Sequence, residues 1–246
     1  MRKPLNFVIS SGGTAVPVDD VRILTNRSKG TTGAAIAEVA LLRGHKVDYV
    51  HAENARLPFG RELMADPEVD IETELQRIRS AIENYRAISD RLTLSPVTDF
   101  DHYQRSLLER VARPDMDIAI LAMAASDYGP QKVDGKIASD GNGLDLHLVA
   151  LAKIISQVKT TREGIFLVGF KLLTEESSVV QLLAKATRSM ERDRQDLAVA
   201  NIVGVNFKPK QTFLLQPGQE VIEVSERRDL PDILLDQIER RVMQDA

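Results

Sequence analysis

Short runs of consecutive apolar residues alternate along the chain with longer segments in which apolar residues recur at helical spacing. The apolar runs predict strands at 7–9, 47–50, 118–123, 165–170 and 197–202. The longer segments predict helices at 33–43, 71–88, 101–113, 154–160 and 177–193. Continuous apolar runs are typical of strands that are buried on both faces of a sheet. The pattern therefore predicts an α/β fold, a Rossmann-like three-layer sandwich with a mainly parallel sheet.

Two further segments have the pattern of a β-hairpin. The turn residues of the first hairpin, at 140–143, precede an alternation of apolar and polar positions over 144–148, and the second hairpin turns at 216–218. A last helix is expected over 229–243. We expect a single domain over residues 1–246, in which about 55–90 form an inserted loop and charged helix.

Composition and charge narrow the classes of function. The chain has 246 residues, a net charge of −4 and no cysteine, which excludes disulfides, thiol nucleophiles and cysteine metal sites. An acidic balance argues against a surface for nucleic acid or for anionic membranes. No apolar run approaches the roughly 20 residues of a membrane span, and the first run is too short for a signal peptide. We therefore expect a cytoplasmic protein with neither nucleic acid nor membrane as a partner.

The connection between the first strand and the first helix is unusually long and polar. It reads SSGGTAVPVDDVRILTNRSKGTTG over residues 10–33, which is neither GxGxxG nor GxxxxGK[ST]. Its glycines at 12, 13, 30 and 33 would let a ligand approach the backbone, and the helix N-terminus that follows favours an anion. A phosphate cradle with a polar insertion is the favoured interpretation, and an ordinary glycine-rich turn with a surface loop is the alternative.

Other candidate residues each have a plain structural alternative. Asp127 follows a predicted buried strand, where parallel sheets bind ligands, but it also suits an ordinary turn. Lys136 in the first hairpin and Phe170 at a strand end would more often be a solvated cation and a core residue. Arg188 and Arg192 lie one helical turn apart and could clamp a polyphosphate, or form an exposed basic face. The four histidines have no metal-ligand spacing.

Taken together, these stretches resemble the phosphopantothenoylcysteine synthetase (phosphopantothenate–cysteine ligase) family. The loop follows its pattern SGGT-x-EPID-x-VR-x-ITN-x-SSG-x-x-G, and MAASDY, GKIAS, LVGFKLL and DLAVAN follow in the family's order. The resemblance covers almost the whole chain and is closest to the free-standing bacterial form, with nothing similar to the flavin-binding decarboxylase half. The chain departs from the pattern at Val16, Asp20, Lys29 and Ile202, where the family has Glu, often Pro, Ser or Thr, and Asp.

The resemblance implies an enzyme of coenzyme A synthesis that joins 4′-phosphopantothenate to L-cysteine. It implies an acyl-nucleotide intermediate made from CTP or ATP with Mg²⁺, and a homodimer. Asn26 would then orient and polarise the acyl carbonyl. Lys136 would act near the α-phosphate, and the first hairpin, which carries it, would be a mobile flap. The substrate residues carried over from the family pattern are Gly13, Thr14, Asp19, Arg22 and Gly30. The nucleotide residues are Leu121, Ala122, Met123, Asp127, Ala152, Lys153, Ile154, Ile155, Phe170, Arg188 and Arg192, where the two arginines replace family lysines. The choice between CTP and ATP and the metal ligands stay open.

Two other classes of protein remain in view. Tyr128 and Lys132 have the Tyr-x-x-x-Lys spacing of short-chain NAD(P)-dependent oxidoreductases, although Pro130 between them disfavours the helix that such a pair requires. A non-catalytic nucleotide-binding homologue is the third interpretation, and it rests only on the departures at Val16 and Ile202.

Overall fold

The computed structural model describes residues 3–60, 65–138, 143–174, 178–204 and 209–244. The strands in these ranges are β1 (Asn6–Ser11), β2 (Ala15–Pro17), β3 (Ile23–Thr25), β4 (Lys46–Ala52), β5 (Leu92–Val97), β6 (Ile118–Leu121), β7 (Tyr128–Pro130), β8 (Leu148–Ala150), β9 (Phe166–Thr174), β10 (Leu197–Val203), β11 (Pro209–Leu215) and β12 (Ile222–Val224). The α-helices are α1 (Thr31–Leu42), α2 (Ile71–Ile88), α3 (Phe100–Val111), α4 (Ile154–Thr161), α5 (Val179–Asp193) and α6 (Leu230–Gln244).

Eight of the strands form one sheet in the order β12-β11-β10-β9-β6-β1-β4-β5. The six strands from β10 to β5 are mutually parallel, and β11 and β12 extend one edge in antiparallel orientation. β1 lies inside the parallel part, with Phe7 paired to Val47 on one side and to Ile118 on the other. The predicted α/β fold with a mainly parallel sheet is confirmed.

Helices cover both faces of this sheet, because successive side chains of each buried strand point to opposite sides. Phe7 and Ile9 of β1 pack in a core with α1 and α6, whereas Val8 packs in a second core with α3 and α4. On the second face, α5 packs against β10 and β11 through a third cluster that contains Leu182 and Phe213. The three layers of the predicted sandwich are therefore present.

The sheet has one strand that the apolar pattern did not predict, and another that is shorter than predicted. β5 pairs only with β4 at the edge of the sheet, so it carries Ser95 and Pro96 without breaking the parallel core. The strand expected over 118–123 ends at Leu121, although Ala122 and Ala124 still donate backbone hydrogen bonds to the end of β1.

The first predicted hairpin is antiparallel at its base only. β7 pairs with β8 in the register Tyr128 to Ala150, but the described residues 143–147 form no strand. The strand expected over 144–148 begins only at Leu148, because Leu144 and Leu146 are exposed and pack on no core face. Residues 139–142, which include most of the predicted turn, lie outside the described ranges. The second predicted hairpin is confirmed as β11 and β12.

Candidate active site

The glycine-rich loop after β1 packs very closely against the chain that follows β3. A side chain at Gly13 would place its Cβ 2.5 Å from the backbone oxygen of Asn26. Gly12 has a φ of 102°, a left-handed conformation that favours glycine, and its Cβ position is 2.8 Å from the Cβ of Ala52 and of Ala55. These close approaches bring the loop to the carboxyl ends of the parallel strands, where such sheets bind ligands.

Hydrogen bonds join this loop to the segment that follows β6. The backbone N–H of Thr14 donates to the carbonyl oxygen of Ala124 at 3.3 Å, and the Thr14 Oγ1 accepts from the N–H of Ser126 at 2.9 Å. The Nδ2 of Asn26 donates to the carbonyl oxygens of Ala124 (3.1 Å) and Ala125 (3.2 Å). The structure thus brings the predicted Gly13, Thr14 and Asn26 together beside the chain that continues from Leu121, Ala122 and Met123.

Within the long loop, β2 and β3 form a short hairpin whose turn, residues 18–22, is organised by Asp19. The buried carboxylate accepts hydrogen bonds from the backbone N–H of Val21 at 2.9 Å and of Arg22 at 2.7 Å through one oxygen. The other oxygen accepts from the N–H of Ile137 at 3.0 Å and pairs with the Arg22 guanidinium. Its two oxygens are fully engaged, so we expect Asp19 to act on a substrate through Arg22 rather than by direct contact.

The surroundings of Asp19 strongly favour its charged form. Burial by itself would raise its pKa, but the backbone N–H groups of Val21, Ile137 and Arg22 and the Arg22 guanidinium outweigh burial and lower the pKa to about 2. Arg22 keeps 37% of its side chain exposed and also donates to the carbonyl oxygen of Ile137 at 3.2 Å. The turn therefore presents a fixed cation beside the Lys136 segment.

The N-terminus of α1 is the third part of the site. Gly30 is its N-cap residue and has a φ of 71°, and the hydroxyl of Ser11 donates to its carbonyl oxygen at 2.9 Å. A Cβ at Gly33 would lie 2.4 Å from the Ser11 Oγ, so the helix begins in direct contact with the end of β1. No acidic residue lies in the first turn, so its N–H groups are available to an anion.

A group of charges lies where β6 leads into β7, at the start of α4 and at the end of α5. Lys153 forms an ion pair with Asp127, and Arg192 holds the buried Asp193 with N···O distances of 2.9 and 2.6 Å. Asp193, and more weakly the charge of Asp127, raise the pKa of Arg192. The structure therefore pairs Asp127 with Lys153 and places Arg192 within electrostatic range of Asp127, while Ala152 is exposed and Ile155 is half-buried.

The side chains of the other predicted site residues form no hydrogen bond with the rest of the site among the described residues. The Nε of Arg188 donates to the carbonyl oxygen of Ala184 in its own helix, and no described contact joins it to Arg192. Phe170 is half-buried and packs against the core, and Ile154 is buried. Lys136 is exposed, and the contacts of this segment are made by its neighbours Gly135 and Ile137.

Several polar contacts of the site are not predicted by the sequence. Ser126 bonds to Thr14, Asp20 and Lys132 form an ion pair at 2.8 Å, and Asp193 is buried beneath Arg192. The sequence distinguishes Asp20 as a departure from the family pattern and Lys132 by its spacing from Tyr128, but neither signal predicts that the two side chains pair. The partners of all four depend on contacts between segments distant in sequence or on burial, which the sequence does not display.

The arrangement of Tyr128 and Lys132 argues against an oxidoreductase. Tyr128 lies on β7, and Lys132 follows that strand in non-helical chain, where it pairs with Asp20. The two side chains therefore do not share the helix face that the Tyr-x-x-x-Lys pair requires.

The described residues contain no group of three or more His, Cys, Asp or Glu side chains that could hold a metal ion. Among the same residues, no helix is both long and apolar enough to cross a membrane.

Comparison with known proteins gives consistent results. The family model of the DNA/pantothenate metabolism flavoprotein C-terminal domain matches residues 3–106 and 89–241. The chain is 30% identical over 237 residues to the coenzyme A biosynthesis bifunctional protein CoaBC of Thermococcus kodakarensis, covering 95% of this chain and 50% of that protein. It is 31% identical over 221 residues to phosphopantothenate–cysteine ligase 1 of Oryza sativa, covering 79% of this chain and 67% of the rice protein.

Among solved structures, the DNA/pantothenate metabolism flavoprotein of Streptococcus pneumoniae has the same fold. Its TM-score is 0.74 at 24% identity, and the match covers 97% of this chain and all of that chain (100%). The chain spans half the length of the Thermococcus protein, so only one part of that bifunctional protein corresponds to it (50%).

Proposed function

Because the chain belongs to the family of the DNA/pantothenate metabolism flavoprotein C-terminal domain, we propose that it is a phosphopantothenate–cysteine ligase of coenzyme A biosynthesis. The names of the rice and Thermococcus relatives, a phosphopantothenate–cysteine ligase and a coenzyme A biosynthesis protein, support this proposal. The observation that carries it is that Asn26, the glycine-rich loop and the chain after β6 meet at the carboxyl ends of the parallel strands. The Lys136 segment is bound to the adjacent 18–22 turn.

In the first half-reaction, a carboxylate oxygen of 4′-phosphopantothenate would attack the α-phosphorus of CTP or ATP. The bond from that phosphorus to the bridging oxygen breaks, and pyrophosphate leaves with the electron pair. Negative charge then builds on the phosphoryl oxygens, so fixed cations and N–H groups lower the barrier. In our proposal Lys136 acts at the α-phosphate, Arg188 and Arg192 hold the outer phosphates, and the exposed part of Phe170 contacts the base.

The residues around Asp127 fit a magnesium ion that accompanies the nucleotide. The Asp127 side chain is 62% exposed at the strand ends, and Mg²⁺ on a nucleotide commonly takes one or two carboxylates beside phosphate oxygens and water. When bound, the ion would neutralise charge on the phosphates. Lys153, which pairs with Asp127 in this structure, would have to turn away from the carboxylate for the ion to bind.

In the second half-reaction, the amine nitrogen of cysteine would attack the acyl carbon of the mixed anhydride. The carbon–oxygen bond to the nucleotide breaks, the nucleotide monophosphate leaves with the electron pair, and the amine loses a proton. Asn26 would position the acyl group: its Nδ2 donates to two backbone carbonyls, which hold the amide in one orientation, and it would exchange one of these bonds to donate to the acyl oxygen. Arg22, oriented by Asp19, would face the substrate anion.

The proposal includes a cytoplasmic homodimer. Val21 and Ile23 of the β2–β3 hairpin are 65% and 59% exposed, and Leu144 and Leu146 of the flap are also exposed. A contiguous exposed apolar patch is typical of an interface between subunits, and in our proposal these side chains contribute to one. Light scattering of the purified protein would measure the oligomeric state.

The test is pyrophosphate release by purified protein with CTP or ATP, 4′-phosphopantothenate and cysteine, each left out in turn. We expect pyrophosphate to require phosphopantothenate, and product to require cysteine as well. Equal release without phosphopantothenate would contradict the ligase assignment. Comparing the two nucleotides in the same assay would decide between CTP and ATP.

A further inference from the structure

The segment that carries Lys136 is bound to the 18–22 turn by contacts outside the main sheet. The backbone N–H of Val133 donates to the carbonyl oxygen of Val18 at 3.0 Å, and the N–H of Asp20 donates to the carbonyl oxygen of Gly135 at 3.1 Å. These bonds run along the described residues 131–138, which connect β7 to the rest of the flap. The turn thus serves as the support on which this segment lies.

Asp20 makes contacts on both sides of the bend in this segment. One oxygen of its carboxylate accepts from the N–H of Gly135 at 2.9 Å, and the other pairs with Nζ of Lys132 at 2.8 Å. Gly135 has a φ of 77°, so the chain reverses there in a left-handed conformation. The side chain of Asp20 therefore closes the bend that immediately precedes Lys136.

Charge supports this geometry. The hydrogen bond from Lys132, then the N–H of Gly135 and the charge of Lys132, lower the pKa of Asp20, and Asp20 in turn raises the pKa of Lys132. The two side chains remain 54% and 49% exposed, and exposed ion pairs contribute little to global stability. The consequence of this pair is therefore expected in the local geometry of the segment rather than in the free energy of unfolding.

The residue on the other side of Lys136 is held by the neighbouring aspartate. Asp19 accepts from the N–H of Ile137 at 3.0 Å, and Arg22 donates to the carbonyl oxygen of Ile137 at 3.2 Å. Two adjacent carboxylates of one turn thus fix the residues immediately before and after Lys136. The Lys136 side chain itself stays exposed, so its direction depends on the backbone that these carboxylates hold.

We propose that Asp20 is a positioning residue: by binding Lys132 and Gly135, its carboxylate fixes the bend that directs Lys136 to the reacting phosphate. This inference rests on the proposed function, because Asp20 would act through Lys136. Proline, which the family pattern often has at this position, offers neither the carboxylate nor the backbone N–H that Asp20 provides. The contacts of Asp20 with Lys132 and Gly135 are therefore a feature of this particular sequence.

The test compares Asp20→Ala, Asp20→Asn and Lys132→Ala with a matched control, Asp134→Ala. Asp134 lies in the same bend and is exposed, and among the described residues no hydrogen bond or ion pair joins it to the turn. We expect Asp20→Ala to lower the kcat of pyrophosphate release by about 10- to 100-fold with little change in nucleotide KM, because a small displacement of a reacting group has effects of this order. Lys132→Ala and Asp20→Asn should fall between wild type and Asp20→Ala, and Asp134→Ala should stay within about twofold of wild type.

A double-mutant cycle with Lys136→Ala separates positioning from a general structural effect. If Asp20 acts through Lys136, then Asp20→Ala should cause no further loss in the Lys136→Ala background. Activity near wild type in Asp20→Ala, or the same fold-loss with and without Lys136, would overturn the proposal.

Hydrogen–deuterium exchange of the peptide over 131–138 provides a readout that does not require activity. Faster exchange in Asp20→Ala than in Asp134→Ala would show that Asp20 holds the segment, and equal exchange would overturn the proposal. If the wild type releases no phosphopantothenate-dependent pyrophosphate, the ligase proposal fails instead, and the exchange result still decides whether Asp20 holds this bend.

Discussion

At the scale of single residues, the two groups assigned to the two half-reactions are held in different ways. Asn26 is fixed through its own side chain, which donates to two backbone carbonyls after β6. Lys136 is fixed only through the backbone of its neighbours, and its side chain is exposed. Because the two residues lie on different elements and act on different bonds, substitutions should separate the two steps.

We expect Lys136→Ala to slow pyrophosphate release itself, because it removes a cation from the phosphoryl transfer. Loss of one such electrostatic contact commonly costs about 100-fold or more in rate. Asn26→Ala should retain part of the first step but react slowly with cysteine, so acyl-nucleotide should accumulate.

Single-turnover reactions with labelled nucleotide, quenched with and without cysteine, would measure this difference. An equal loss of pyrophosphate release in both variants would show that the two roles are wrongly divided. Full activity in Lys136→Ala would remove the flap from the active site.

Arg188 and Arg192 share a helix face but differ in their partners. Arg192 holds the carboxylate of Asp193, whose side chain is 0% exposed, whereas Arg188 contacts only a carbonyl of its own helix among the described residues. Arg192→Ala would leave a buried carboxylate without its cation, a change that costs about 1–3 kcal/mol or more. We expect Arg192→Ala to lower both the free energy of unfolding and nucleotide affinity, and Arg188→Ala to lower affinity alone.

Urea unfolding and nucleotide titration of the two single variants would test this prediction, and each arginine is the control for the other. Unchanged nucleotide affinity in both variants and in the double variant would make them ordinary surface charges.

At the scale of elements, the glycine-rich loop depends on the close contact of α1 with the end of β1. The Cβ position of Gly33 is 2.4 Å from Oγ and 2.7 Å from Cβ of Ser11, and both of these atoms belong to a buried side chain. The first turn of α1 can therefore reach the site only if position 33 has no side chain.

Gly33→Ala should therefore push α1 away from β1. Overpacking of a tight contact typically costs about 1–3 kcal/mol, and we expect a loss of that order together with weaker nucleotide binding. Gly164→Ala is the matched control, since no atom lies within 4 Å of the Cβ position at Gly164. Equal unfolding midpoints for the two variants would contradict this account of the loop.

At the scale of the whole molecule, stability in acid should depend on carboxylates whose partners hold them charged. Asp19 is one, and Glu74 is another: the Arg77 hydrogen bond and the backbone N–H of Asp66, opposed by burial, lower its pKa to about 2. A carboxylate with a lowered folded-state pKa stabilises the protein above its ordinary pKa. That contribution is lost as the pH falls toward the folded-state value.

We therefore expect Asp19→Asn to be less stable than wild type at neutral pH. The difference between their unfolding midpoints should stay constant down to about pH 5 and then shrink between about pH 4 and pH 2. Urea unfolding of both proteins over this range would measure it. A difference that grows as the pH falls would contradict the assigned direction of the pKa.

Much of the architecture follows from the sequence alone, because burial on both faces imposes an apolar run on every central strand. The runs at 7–9, 47–50 and 197–202 each lie within a parallel strand, and the helix predicted over 71–88 has those bounds in the structure. β5 escaped prediction because an edge strand needs no continuous apolar run, and it tolerates Pro96. The alternation over 144–148 predicts more strand than the structure has, because alternating apolar residues form a strand only where their apolar face packs against a core.

For the site, the sequence determined which residue types are present, and the family resemblance assigned most of their expected roles. The tertiary structure decided which of them meet. Asp19 and Ile137 are 118 residues apart, and Asn26 and Ala125 are 99 residues apart, yet each pair is joined by a hydrogen bond. The partners of Asp20 and Asp193 likewise depend on the path of the chain and on burial. These hydrogen bonds set the directions of Arg22, Asn26 and Lys136. The sequence pattern does not predict them, because they form only when segments distant in sequence pack together.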